Sequence, residues 1–305
     1  MLNNIQKNIL KTLAYFDLFL YPVTRNELLA FSPEKNSLSL IDEEIRSLLF
    51  EKIIFQLDEF YSLQNKPALA ERRRHGNLRA VDQLSIAKRV AKILNWFPFV
   101  RSIAVSGSLS KHFSEENSDI DFFIVTSANR LWIARSCMHL LKKVSFIIGK
   151  QNWFCMNYYI DECAMNIPEK NIFTAMEIVT LIPMQGMDCF QKFREANIWT
   201  SEYFPLQTNY HKETWGTKKN FLRYFLEKIF SSRLGDKADH WLMNLTNKRW
   251  RKKTLGGKVN DHGDKIEMAV GKHFSKPNPK NFLTKVLKQY ENKVNDLVEI
   301  KETVL

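Results

Sequence analysis

Apolar positions divide this chain into three stretches of different periodicity. Ile5, Ile9, Leu13 and Phe16 recur at helical spacing, and Pro22 ends that segment. Thr24 and Glu27 stand in the Thr-x-x-Glu relation, where each side chain can satisfy the other's free backbone donor. A short helix is therefore expected from Arg25 to about Phe31. Pro33 to Ser37 reads as a loop, and Ile41, Ile45, Leu48 and Leu49 line a third helix. Ile53 to Leu63 carries strand-forming residues around Asp58-Glu59, the pattern of a hairpin. Residues 1–66 thus read as one unit. The next stretch, from 67 to about 97, reads as a helix closed by Pro98, with Leu78, Val81, Leu84, Ala91 and Leu94 on one face. Strands are expected at Val100–Val105, Asp119–Thr126 and Trp153–Ile160, with a helix over Asn129–Val144. That order makes residues 67–165 a mixed α/β core and the whole chain α+β. Residues 166–305 read as helical, most clearly where Phe282, Val286, Leu287, Tyr290, Val294 and Leu297 form a stripe. Leu255 to Pro279, rich in Gly, Asn, Asp and Lys, is expected to be a long loop.

Composition narrows the class. With 45% hydrophobic and 26% charged residues, a mainly disordered chain is excluded, and 10 Gly and 9 Pro in 305 residues exclude a collagen-like one. Four cysteines without a Cys-x-x-Cys pair leave a zinc ribbon unsupported and suit a reducing compartment. No apolar run reaches the roughly 18 residues of a membrane helix. Lys7, Lys11 and Asp17 break up the N-terminal apolar residues, so no signal peptide is expected. A cytoplasmic protein without a membrane partner is the expectation. The net charge is +12, and residues 211–305 hold 21 Lys and Arg against 11 Asp and Glu. The densest basic run is Lys248-Arg249-Trp250-Arg251-Lys252-Lys253, and Arg72-Arg73-Arg74-His75 is a second. Each reads as a solvated helix face or as a phosphate-binding surface, and only the second reading gives the chain a nucleic-acid partner, with Trp250 available to stack.

The informative chemistry lies between 103 and 121. An apolar strand runs into Gly107-Ser108, where glycine lets the backbone approach a ligand closely. A helix opening after it would offer free amides to phosphate. Ten residues after Ser108 come Asp119-Ile120-Asp121. Alternation on a strand puts both carboxylates on one side and Ile120 on the other. Two carboxylates beside a phosphate-binding turn make a Mg²⁺ site able to hold a nucleoside triphosphate.

This constellation resembles the nucleotidyltransferase superfamily typified by DNA polymerase β. Its signature of a hydrophobic residue, Gly, Gly or Ser, nine to thirteen residues, and Asp-hydrophobic-Asp/Glu is matched by Val105, Gly107, Ser108, Asp119, Ile120 and Asp121. The resemblance implies that Gly107, Ser108 and Lys111 bind the nucleotide and that Asp119 and Asp121 hold Mg²⁺. It implies transfer of a nucleoside monophosphate to a hydroxyl acceptor, with pyrophosphate leaving. It also implies a third carboxylate on the next strand. There Asn157 takes the expected position as a metal ligand without basicity, and Asp161, near the strand end, is the candidate catalytic carboxylate. Glu177 reads as a solvated helix residue, with a place lining the cleft as the alternative. The first 66 residues resemble a winged-helix domain. An alternative for the whole chain is a nucleic-acid-binding or regulatory protein with a degenerate core, using the basic C-terminal region.

Overall fold

The computed structural model describes residues 2–147, 149–207, 221–257, 268–277 and 280–302. The first unit runs α1 (Asn4–Asp17), β1 (Val23–Thr24), α2 (Arg25–Ala30), α3 (Leu38–Phe50), β2 (Phe55–Leu57) and β3 (Phe60–Ser62). The expected capping box is present. Thr24 Oγ1 accepts from the Glu27 amide at 3.2 Å, and Glu27 accepts from the Thr24 amide at 2.8 Å. Ile9, Leu13, Phe16, Leu28, Ile41, Ile45 and Leu48 are buried between the helices. The strands form a small antiparallel sheet in the order β1-β3-β2. Strand β1, two residues long, is too short for any periodicity to announce it.

Helix α4 (Pro67–Leu94) is where the expected one lies, and of its expected face Ala91 and Leu94 are buried and Leu84 packs on the core, while Leu78 and Val81 are not buried. Leu78 and Val81 are 68% and 67% exposed, whereas Gly76, Ala80, Ala87 and Ala91 are buried. Small residues let this helix approach its neighbours closely: a Cβ at Gly76 would lie 2.2 Å from the Phe113 ring. Bulky side chains would hold it away here, so hydrophobicity misplaces Leu78 and Val81 although it places Leu84, Ala91 and Leu94 correctly.

The main sheet contains β4 (Val100–Val105), β5 (Asp121–Thr126), β6 (Cys155–Asp161), β7 (Ile182–Gln185), β8 (Met268–Val270) and β9 (Phe274–Pro277). Their spatial order is β7-β4-β5-β6-β9-β8. Only β5 and β6 pair in parallel, joined through α5 (Leu131–Ile147), so the sheet is mixed. One face, with Ile103, Val105, Phe122 and Ile124, packs on α4 and α5. The other, with Ala104, Phe123, Val125 and Ile160, faces α6 (Ile172–Val179) and α7 (Met187–Ala196).

The sheet therefore extends past residue 165. Strand β7 and the β8–β9 hairpin come from stretches expected to be helix and loop. Pro183 and the short apolar run hide β7. In the hairpin, His273, Lys272 and Gly271 interrupt any alternation, while the Gly271 amide closes the turn onto the Phe274 carbonyl at 3.0 Å. The remaining helices are α8 (Phe221–Phe230), α9 (Arg233–Leu255) and α10 (Lys280–Glu302). Among the described residues no helix is long and apolar enough to cross a membrane.

The arginine run on α4 is not an open phosphate surface. Arg72 pairs with Glu115, and Arg74 lies 2.5 Å from Asp58 and 2.8 Å from Glu59. Arg73, 3% exposed, lies 2.8 Å from Glu27, with its guanidinium 3.5 Å from the centre of the Tyr21 ring. These contacts clamp the N-terminal unit onto α4. Burial pushes Glu27 up to about 6 and Arg73 down to about 9, so each charge relies on the other. Removing one strands its partner in a dry site. Arg73→Met should cost about 3–5 kcal/mol in urea denaturation at pH 7.5. The loss should shrink below about pH 6, where the stranded Glu27 takes up a proton.

Candidate active site

The end of β4 and the start of β5 are antiparallel, with Val105 opposite Phe122. One residue further on, the Ser106 amide donates to the Asp121 carbonyl at 2.9 Å. This pairing lays the Gly107 turn directly against Asp121. Gly107 has φ +69°, and a Cβ there would lie 2.8 Å from Asp121 Oδ2. The positive φ favours glycine, and a Cβ would have to displace the Asp121 carboxylate. The segment after it is shorter than expected: Ser108 leads into one 3₁₀ turn, Leu109–Lys111, and His112 closes it at φ +54°. A turn of three residues lacks the macrodipole of a full helix. Ser110 Oγ donates to the Gly107 carbonyl at 2.8 Å and fixes the turn.

Lys111 comes off this turn. Its Nζ lies 2.7 Å from Glu177 Oε1 and donates to the Gly107 carbonyl at 3.2 Å. Glu177 belongs to α6 and lines the same cavity as Gly107 and Asp121. The alternative reading of Glu177 as a cleft residue is therefore the one the fold realises. Tyr21 of the N-terminal unit donates to the Lys111 carbonyl at 2.7 Å, so that unit also supports the turn.

Strand β5 begins at Asp121, and Asp119 sits in the segment leading into it. Ile120, 1% exposed, anchors that segment: its amide donates to Asn152 O at 2.8 Å and its carbonyl accepts from the Cys155 amide at 3.3 Å. Asp119 is exposed and Asp121 partly buried. In register, Asp121 stands beside Cys155 of β6. The Cys155 side chain hydrogen-bonds both aspartates, and Lys142 Nζ of α5 lies 3.8 Å from its sulfur. Burial pushes Asp121 up to about 6; Cys155 opposes the shift, and the charges of Asp119 and Glu177 add to it. Burial and the Asp121 charge hold the Cys155 thiol up, so it stays protonated and able to donate.

The two residues expected to supply the third metal ligand or base do not join this group as read. The β5–β6 register shifts between Phe122–Met156 and Phe123–Tyr158, leaving Asn157 in a bulge. Nothing of its side chain falls within the described residues. The bulge breaks the alternation that had placed Cys155, Asn157, Tyr159 and Asp161 on one face. Asp161 pairs with Thr126 at the far end of the parallel strands, about 17 Å from Asp121 by strand rise. It is fully buried there and accepts from the Asn129 and Cys163 amides at 2.8 and 2.9 Å. His273 Nδ1 lies 2.8 Å from its Oδ2. Asp161, Cys163 and His273 lie within 4.8 Å of one another, a mixed oxygen, sulfur and nitrogen set unlike the oxygen ligands Mg²⁺ takes.

So Gly107, Ser108, Lys111, Asp119 and Asp121 share one corner of the sheet, and Asp161 is at another. Cys155 and Lys142 join the corner without any local sequence signal. Their arrival depends on the parallel register and on the crossover helix.

Asp121 gives a pH test of its environment. In the unfolded chain it titrates near 3.8 and in the fold near 6, so stability falls as pH rises through that window. Above it the penalty is of order 2–3 kcal/mol. Asp121→Asn should therefore stabilise the metal-free protein by about 2 kcal/mol at pH 7.5, with the gain vanishing near pH 4. Urea denaturation in EDTA at both pH values checks this; a loss at pH 7.5 would mark Asp121 as a structural residue.

Compared with family models, curated proteins and solved structures, the chain matches none, and the geometry of this corner is what any functional reading must rest on.

Proposed function

We propose that this corner is the active site of a Mg²⁺-dependent nucleotidyltransferase. What supports the reading above all is the contact between the Gly107 turn and Asp121, with Asp119 two residues before it. A glycine turn packed against Asp121 keeps the backbone within reach of a phosphate beside two carboxylates. The oxygen donors of Asp119 and Asp121 suit Mg²⁺, and Asp121, titrating at about 6, is mainly ionised at neutral pH and carries the charge a cation would offset.

In this reading Asp119 and Asp121 hold Mg²⁺. The bound ion supplies charge neutralisation at the entering and leaving oxygens of in-line displacement. Gly107 and Ser108 let the triphosphate of the NTP lie close to the backbone. Lys111 offers it a positive charge and is held in place by Glu177. With Asp161 at the other end of the sheet and Cys155 protonated, Glu177, which lines the cavity beside the Gly107 turn, would take the acceptor hydroxyl's proton.

Incubation with each labelled NTP, Mg²⁺ and candidate alcohols, followed by pyrophosphate release, tests the proposal. Asp119→Asn should abolish transfer with an unchanged circular dichroism spectrum; full activity would refute the assignment. Glu177→Gln should lower kcat by roughly 10²-fold.

One observation keeps a second reading alive. Lys248, Arg249, Arg251 and Lys252 are exposed on α9, an arrangement suited to a polyanion. The α3 helix is a poor DNA reader by contrast, carrying Asp42, Glu43 and Glu44 against Arg46 alone. If α9 binds nucleic acid, its affinity for a single-stranded oligonucleotide should fall steeply between 50 and 200 mM salt. The slope should flatten when those four residues are changed to Gln.

A further inference from the structure

Three donors of different chemistry meet at the end of β5 and β6 far from the Gly107 turn. Asp161 closes β6, Cys163 follows two residues later, and His273 sits in the turn between β8 and β9. One ligand atom of each lies within 4.8 Å of the other two: a carboxylate oxygen, a thiol sulfur and a ring nitrogen. Among the described residues this is the one group of three such side chains gathered so closely. The surrounding backbone holds it in place. The Asp161 carboxylate is fully buried and accepts from the Asn129 and Cys163 amides at 2.8 and 2.9 Å. The Asp161 amide donates to the His273 carbonyl at 3.1 Å, which sets the hairpin turn against the strand end. Cys163 is exposed and His273 partly so, leaving the outer side of the group open to solvent.

The same three residue types can form a nucleophilic relay, but the geometry is not that of one. In a relay the histidine stands between the other two, with one ring nitrogen for each. Here the sulfur lies as near the carboxylate as 4.8 Å or less, so the three donors form a triangle. A triangle of unlike donors suits a single ion. A tetrahedral Zn²⁺ with bonds of about 2.0–2.3 Å holds its ligands roughly 3.3–3.7 Å apart, so closure asks for movements of about an ångström. The exposed Cys163 side chain and the hairpin turn can supply them.

We infer that Asp161, Cys163 and His273 bind one Zn²⁺, with water or an external ligand in the fourth position. Oxygen, sulfur and nitrogen together favour a borderline ion over Mg²⁺ or Ca²⁺, and three protein donors are the number found in open zinc sites. On binding, the Cys163 thiol gives its proton to solvent and His273 ligates as the neutral ring. The two amides on the carboxylate keep it aimed, as outer-shell groups do around such ions. The ion ties the hairpin turn to the end of β6. That junction is short, with β9 paired to β6 at Tyr159–Ser275 and Ile160–Phe274. Lys276 of β9 also lines the cavity beside Asp121, together with Phe123, Tyr158, Phe173 and Phe193. Seating the hairpin therefore seats part of the cavity wall. The inference does not rest on the proposed nucleotidyl transfer.

The test uses the full chain with its thiols reduced, stripped with EDTA and desalted. Calorimetric titration should find one Zn²⁺ per chain. Co²⁺ in its place should give the charge-transfer band of a thiolate ligand and the visible bands of a tetrahedral ion. Cys163→Ser should remove the charge-transfer band. Cys163→Ser and His273→Gln should each weaken Zn²⁺ binding by more than about 100-fold, the upper end of what loss of an outer-shell partner costs. Cys163 is exposed, so its variant should keep the metal-free urea midpoint, and that measurement establishes that it folds. Zn²⁺ should slow hydrogen exchange across residues 268–277 by tenfold or more in the unaltered chain and leave it unchanged in Cys163→Ser. No Zn²⁺ binding, binding that survives Cys163→Ser, or a hairpin whose exchange ignores bound Zn²⁺ would each overturn the inference. Zn²⁺ binding lost in Asp119→Asn and kept in Cys163→Ser would put the ion at the other corner of the sheet and overturn it as well. None of these readouts depends on transfer activity, so failure of the enzyme reading would leave them standing.

Discussion

The contact between Gly107 and Asp121 is the constraint on which the site depends. Antiparallel pairing of β4 and β5 brings the two together, and the Ser106–Asp121 backbone hydrogen bond extends that pairing into the turn. A side chain at residue 107 would strain the φ of +69° and push the Asp121 carboxylate aside. Several features of the fold serve to hold this approach. Gly76 lets α4 close on Phe113, just beyond the turn, and Ser110 ties the turn to itself. Tyr21 reaches across from the N-terminal unit to the Lys111 carbonyl, and Arg73 lies against its ring.

Holding a carboxylate at this point has an electrostatic cost. Asp121 loses solvent on entering the sheet and lies within reach of the charges on Asp119 and Glu177. The protein offsets this in part with the Cys155 thiol and Lys142, and it neutralises Glu177 with Lys111. The compensation is incomplete, and Asp121 titrates near 6 as a result. A residual cost at one carboxylate, inside an otherwise well-packed sheet, fits the binding role proposed for Asp121. The Asp161 carboxylate is the contrast. It is more deeply buried but surrounded by two amides and His273, and it fixes the β9 hairpin to the end of β6.

What was legible in the sequence was local. Gly107-Ser108 and Asp119-Ile120-Asp121 lie within 15 residues, so their spacing survives folding with only the strand pairing to be inferred. The Thr24–Glu27 cap is legible for the same reason. The failures all involve partners distant along the chain or a break in periodicity. The one-residue bulge at Asn157 reverses the inward and outward sense of β6, so counting by twos misassigns Asp161. The carboxylates that neutralise Arg72, Arg73 and Arg74 come from elsewhere in the sequence, and a run of arginines looks the same paired or free. Strands β7, β8 and β9 are three or four residues long and find the sheet only because β4 and β6 present edges to them.

Locating the charge separates two questions that a net +12 joins together. The exposed basic residues of α9 do not line the cavity, whose lysine, Lys276, is paired with Glu169. The cavity corner is instead rich in carboxylates, with Lys111 and Lys142 as its nearby cations. An overall positive field can raise the encounter rate with any polyanion, but it carries no information about what fits beside Asp121. Fit there is decided by the hydrocarbon wall and by the few polar atoms that interrupt it. The basicity of the chain and the selectivity of its cavity are therefore set by different parts of the molecule, and a change to one need not disturb the other.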